Sequence, residues 1–129
     1  MKISNYFTIA EATKTDTGLN NTPNDTQARN IVLTASRMDL IRTILGKPVI
    51  VNSWFRSEIV NKKVGGAHNS QHKLGQAVDI KVKGMTPREI VDKIKSSGVS
   101  YDQLILYPTF VHISFKTNIE ENRKQFIVK

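Results

Sequence analysis

A periodic apolar run between Asp25 and Leu45 limits the fold of this chain more than any other feature. Ile31, Ala35, Met38, Ile41 and Leu45 recur at intervals of three or four, the spacing of one helical face. Gly46 supplies the stop. The turn-rich "GLNNTPNDTQ" ahead supplies N-cap candidates in Thr22 and Asn24, with Pro23 at the first helical position. Leu33, Leu40 and Ile44 fall roughly opposite the first set, so the pattern predicts a central helix covered on both sides. With 129 residues the chain can bury one ordinary core, which predicts a single domain over residues 1–129.

The rest of the chain alternates short strands and helices. "NYFTIAEATKTDT" reads as a turn or strand and a short helix, and "PVIVNSWF" as a strand. Ser57 to Val64 reads as a helix stopped by Gly65–Gly66. "GMTPREIVDKIKSSG" carries a helix with a start and a stop: Thr86 as N-cap, Pro87 in the first turn, Glu89 completing a capping box, Gly98 at the end. "YDQLILY" and "FVHISFK" read as strands joined at Pro108–Thr109. The expected class is α+β, a small antiparallel sheet with flanking helices.

Composition narrows the chemistry. There are no cysteines, which excludes a disulfide framework, a thiolate metal site and a cysteine nucleophile. The formal charge of +8 suits polyanionic partners: nucleic acid, anionic membrane, or a bacterial wall rich in phosphate and carboxylate. Neither a secretory leader nor a membrane-spanning run is visible. The expectation is therefore synthesis in the cytoplasm, no transmembrane segment, no specific nucleic-acid site and a monomer.

Two alternating segments carry the candidate site. In "FVHISF", His112 shares a face with Phe110 and Ser114, while Val111, Ile113 and Phe115 share the other. In "QAVDIKV", Asp79 likewise stands opposite Val78, Ile80 and Val82. His72 lies just upstream in a glycine-containing loop that can fold back toward Asp79. Two imidazoles and a carboxylate suit a catalytic zinc that keeps one position open. His68, four residues before His72, lies in "GGAHNSQHKLG", poor helix material, and reads as a loop residue.

These residues carry a resemblance. "SQHKLGQAVDI" resembles the S-x-H-x-x-G-x-A-x-D signature of the zinc D-Ala-D-Ala metallopeptidases, with Ser70, His72, Gly75, Ala77 and Asp79 in register. That family includes bacterial D-alanyl-D-alanine carboxypeptidases and many phage endolysins. "FVHISF" resembles the family's later strand, and "NSWFRSEIVNKKVGG" its upstream segment. The resemblance implies a hedgehog/D-Ala-D-Ala-peptidase-like fold, zinc held by His72, Asp79 and His112, and hydrolysis beside D-amino acids in peptidoglycan peptides. It also implies that Arg56 faces the scissile carbonyl or a substrate carboxylate, and that Ser70 neighbours the substrate. In its phage branch it implies action on the wall after release from the cytoplasm.

One position departs from the family pattern. Where many members carry a carboxylate three residues before the last histidine, this chain has Thr109, which cannot act as a base. The acids nearest in sequence are Asp102 and Glu120. Asp102, on the strand before His112, is the candidate base; its structural alternative is a strand-start residue bonded to backbone. Glu58 is read as the ion-pair partner of Arg56. The rivals are a non-haem iron oxygenase, a wall-binding module of the same fold with impaired catalysis, and a basic nucleic-acid binder.

Overall fold

Five short strands form one sheet, and its outermost pair decides its character. In the computed structural model, which describes residues 1–129, the strands are β1 (Ile50–Ser53), β2 (Ala77–Lys81), β3 (Gln103–Leu106), β4 (Val111–Ser114) and β5 (Gln125–Val128). Their order is β1-β2-β4-β3-β5. The pairs β1–β2, β2–β4 and β3–β4 are antiparallel, whereas β5 joins β3 in parallel. The class is α+β, as the sequence predicts. The fifth strand makes the sheet mixed, a feature the alternating segments do not announce.

The helices are α1 (Ile9–Thr13), α2 (Asp25–Leu45), α3 (Glu58–Lys63) and α4 (Pro87–Ser97). Helix α4 starts and stops as its sequence predicts, with the Thr86–Glu89 capping box and Gly98 in the left-handed conformation. Helix α2 spans Asp25–Leu45 as its sequence predicts, but Pro23 does not take its first position. Asn24 is its N-cap, with Oδ1 accepting from the Gln27 amide at 2.8 Å and Gln27 Oε1 accepting from the Asn24 amide at 2.9 Å. That reciprocal pair leaves Pro23 outside the helix.

The two-sided reading of α2 is corrected by its packing. Ile31, Ala35, Met38 and Ile41 are fully buried, but Leu33 and Leu40 are exposed and Ile44 is half-buried. The reason is layer count. Helices α2 and α4 share one core with Val78, Ile80, Leu104, Val111 and Ile113 from one face of the sheet. No further layer lies over the outer side of α2, and an isolated surface leucine is tolerated.

That arrangement frees the other sheet face. By strand alternation it presents Asp79, His112 and Ile105, which the register places side by side on β2, β4 and β3.

The loop before β2 is held by tight packing. Trp54 is fully buried, stacks edge-on against Phe7 at 5.8 Å, and donates from Nε1 to the Gly75 carbonyl at 3.1 Å. Gly75 has φ +75°, and a Cβ there would lie 2.8 Å from Ile31 Cγ1 and 3.1 Å from the Gln27 carbonyl oxygen. Gly75→Ala is therefore expected to cost about 1–3 kcal/mol, from the left-handed conformation and the contact with α2. Urea unfolding checks this; an unchanged midpoint with an unchanged slope would contradict it.

Candidate metal centre

A β-bulge sets the first wall of the site. Val51 pairs with Ile80, but Ser53, not Asn52, stands opposite Asp79. The extra residue turns the chain so that "SWFR" runs past the end of β2. Ser53 Oγ then accepts from Arg56 Nε at 3.0 Å, and the Arg56 amide donates to the His72 carbonyl at 3.0 Å. One short segment thus positions both the arginine and the histidine loop.

His72 lies on a 3-10 turn, Gln71–Leu74, capped by Ser70, whose Oγ accepts from the His72 amide at 3.1 Å. Its Nδ1 is 2.6 Å from the Trp54 carbonyl. A carbonyl only accepts, so Nδ1 carries the proton and the Nε2 lone pair is left for the cluster. His72 Nε2 lies 3.3 Å from Asp79 Oδ2, and His112 Nδ1 lies 2.9 Å from Asp79 Oδ1.

The two imidazoles and the carboxylate each offer a ligand atom, and these atoms lie within 4.8 Å of one another. Burial holds His72 neutral by lowering its pKa, against the hydrogen bond to Asp79. Burial pushes the Asp79 carboxyl upward, but the hydrogen bond from His112 outweighs it and keeps the group ionised, well below the usual carboxylate range. A neutral imidazole and an ionised carboxylate are the forms a divalent metal requires. Nitrogen and oxygen donors without sulfur suit zinc or iron, and the donor set fits a three-ligand zinc site with an open position.

The cluster opens into a cleft of about 460 Å³. Arg56 Nη2 approaches Asp79 Oδ2 at 3.5 Å, and Nη1 approaches Asn61 Oδ1 at 3.4 Å. Gly66 cannot carry a side chain here, because a Cβ would meet Asn61 Oδ1 at 2.0 Å and Arg56 Nη1 at 3.1 Å. On the far side, Tyr107 and Phe110 stack at 4.4 Å, nearly parallel, as a flat rim.

The structure thus brings His72, Asp79, His112, Arg56 and Ser70 to one cleft. It does not bring Asp102 there. Asp102 is fully buried, and its Oδ1 accepts from the Arg123 amide and Nε at 2.9 and 3.0 Å while Oδ2 accepts from Arg123 Nη2 at 2.7 Å. A carboxylate with no exposed surface and three donors on it has no access to a reacting water, so the candidate base is withdrawn. The Glu58 pairing is corrected too: its carboxylate meets Lys73 Nζ at 2.8 Å, while Arg56 pairs with Asp79. His68 is exposed and outside the cluster. Asp79 is the sole carboxylate lining the cleft.

Several contributors escape a residue-by-residue reading of the sequence. Asn61 orients Arg56 and also donates from Nδ2 to the Ala67 carbonyl at 2.9 Å. The Trp54 carbonyl sets the His72 tautomer. Arg123 lines the cleft from beyond the last ligand-bearing strand. Arg123 has no local signal at all.

Comparison with known proteins agrees with the geometry. Residues 5–114 match the family described as peptidase M15. Over 56 residues the chain is 41% identical to a zinc D-Ala-D-Ala carboxypeptidase of Streptomyces albus G. The aligned part is 43% of this chain and 22% of that protein.

Proposed function

The chain belongs to the peptidase M15 family, and from that premise we propose that it is a zinc peptidase hydrolysing peptide bonds beside D-amino acids in bacterial peptidoglycan. The observation that carries the proposal is the meeting of His72, Asp79 and His112 within 4.8 Å, at the floor of a cleft that Arg56 also enters. Zinc held by these three residues would supply Lewis acidity, lowering the pKa of a bound water toward ~7 and polarising a carbonyl.

The chain's own residues prepare that chemistry. The Trp54 carbonyl and the Ser70 cap lock the ring of His72 before any substrate arrives. Arg56, fixed by Ser53 and Asn61, holds its guanidinium beside the cluster, where it can stabilise charge developing on the scissile carbonyl oxygen or fork a substrate carboxylate. Gly66 keeps one wall free of side chains, and the Tyr107–Phe110 stack gives the other a flat apolar surface suited to small side chains such as alanine's. A carboxypeptidase trimming a terminal D-Ala and an endolysin opening the wall use the same arrangement, and the basic charge of +8 suits an anionic wall in either case. No helix is long and apolar enough to cross a membrane.

A second reading has one observation in its favour. No acid besides Asp79 lines the cleft, and Thr109 takes the place of the family's usual carboxylate. A wall-binding module of the same fold with impaired catalysis would look like this. Incubating the zinc-loaded chain with purified murein and weighing the released peptides by mass spectrometry separates the two. Cleaved peptides, whose masses also identify the bond, are the expected result; murein that is bound but uncut favours the module.

A further inference from the structure

Arg123 sits at the end of the cleft away from Arg56, and it is built in more firmly than a half-exposed surface arginine requires. Asp102, fully buried at the start of β3, takes Nε and Nη2 of its guanidinium side-on and its backbone amide as well. The backbone is pinned on both sides. The Lys124 amide donates to the Tyr101 carbonyl and the Gln125 amide to the Asp102 carbonyl, at 3.1 and 2.9 Å. Lys124 itself adopts φ +52°, a left-handed conformation that non-glycine residues take only when the surroundings enforce it. The side-on bond uses one edge of the guanidinium. The other edge, Nη1 with the second proton of Nη2, forms no hydrogen bond within the chain and belongs to a residue lining the cleft.

A planar donor edge held rigid beside a cleft, with its opposite edge already neutralised by a buried carboxylate, is suited to fork a second carboxylate. Its distance from the metal ligands limits which one. Arg123 leads into β5, which pairs with β3, and from β5 to β4, the strand of His112, is two strand spacings, about 10 Å. An extended peptide advances about 3.3 Å per residue, so that span is roughly three residues. A terminal carboxylate next to the cleaved bond is too close and belongs to the neighbourhood of Arg56. We infer that Arg123, positioned by Asp102, is a specificity residue that binds a free carboxylate on the substrate peptide about three residues from the bond that is cut. Arg123 lies outside residues 5–114, the stretch that matches the family.

The inference rests on the peptidase reading, and its test keeps the two apart. The probes are the peptide Ala-γ-D-Glu-Lys-D-Ala-D-Ala, whose γ-linkage leaves a free α-carboxylate on the third residue before the final bond, and the same peptide with that carboxylate converted to a carboxamide. Calorimetry on the zinc-loaded chain measures binding, and mass spectrometry measures D-Ala release. The acid is expected to bind about tenfold tighter than the amide, as for a charge-assisted forked pair. Arg123→Gln is expected to abolish that preference, and Arg123→Lys to keep part of it. If Arg123→Gln fails to fold because Asp102 is left buried and unpaired, the double variant Asp102→Asn, Arg123→Gln removes both charges and is expected to show the same loss. A preference that survives in the double variant, one absent from the parent chain, or a parent chain that binds neither peptide overturns the inference. D-Ala released equally from both peptides would overturn it while leaving the peptidase reading intact. A preference lost with Arg123 but without any cleavage would uphold it and sink the peptidase reading.

Discussion

Asp79→Asn is expected to abolish zinc binding and wall-peptide hydrolysis together while the chain stays folded. Asparagine matches aspartate in shape, so β2 keeps its register and the cleft its outline. What is lost is charge. Asp79 is the one anionic donor of the cluster and touches both imidazoles, at 3.3 and 2.9 Å. Removing an outer-shell partner of a metal ligand already costs about 10–100-fold in affinity or activity, and losing the anionic ligand itself should cost more than that range. The metal-free fold has less to lose, because a buried carboxylate needs its hydrogen bonds to offset desolvation, whereas a neutral amide is cheaper to bury. Zinc stoichiometry by atomic absorption, thermal unfolding and D-Ala release, measured on one preparation, check the three parts. His68→Ala is the control, since His68 is exposed and outside the cluster; it should retain zinc. One zinc per chain in Asp79→Asn, bound as tightly as in the parent, would overturn the ligand assignment.

Two of the three proposed ligands, Asp79 and His112, could be read from the sequence because strand alternation is a local rule, whereas His72, on a 3-10 turn, is suggested only by its place upstream and by the resemblance. Val78 and Ile80 mark the buried face of β2 by themselves, and Asp79 is thereby assigned to the other face. The same holds for Val111, His112 and Ile113 on β4. That the two strands are neighbours with Asp79 opposite His112 is a fact of topology, for which the sequence offers only the resemblance. Where local rules stop, the reading went astray. The pairs that matter join residues distant in sequence: Arg56 with Asp79, and Asp102 with Arg123 across 21 positions. From sequence alone, Asp102 is a carboxylate near a histidine on a hairpin. Only the return of the chain through β5 shows that its charge is already spoken for. Strand β5 has four residues and no polar alternation, and its parallel partner lies some twenty positions back, so no hairpin signal announces it. The two-sided reading of α2 failed for a related reason. Periodicity tells which residues share a face, and the number of layers the fold supplies decides which faces are covered.

Arg56→Gln is expected to lower kcat/KM by about 10²–10³ without loss of zinc, the scale set by removing one preorganised oxyanion donor. The geometry explains why this arginine is rigid enough to act that way. Its backbone amide is tied to the histidine turn, Nε donates to Ser53 at 3.0 Å, and Nη1 faces Asn61 in a pocket closed by Gly66. A lysine would bring the charge without the fork, so Arg56→Lys should fall between the parent and Arg56→Gln. The zinc measurement discriminates catalytic from structural roles. Arg56 stands 3.5 Å from Asp79 Oδ2, where its positive charge competes with a cation for the same oxygen. If its part is to meet the substrate, removing it should leave zinc affinity equal or higher while turnover collapses. If instead its part is to hold Asp79 in place, zinc affinity and turnover should fall in parallel, and a parallel loss would return Arg56 to the scaffold of the site.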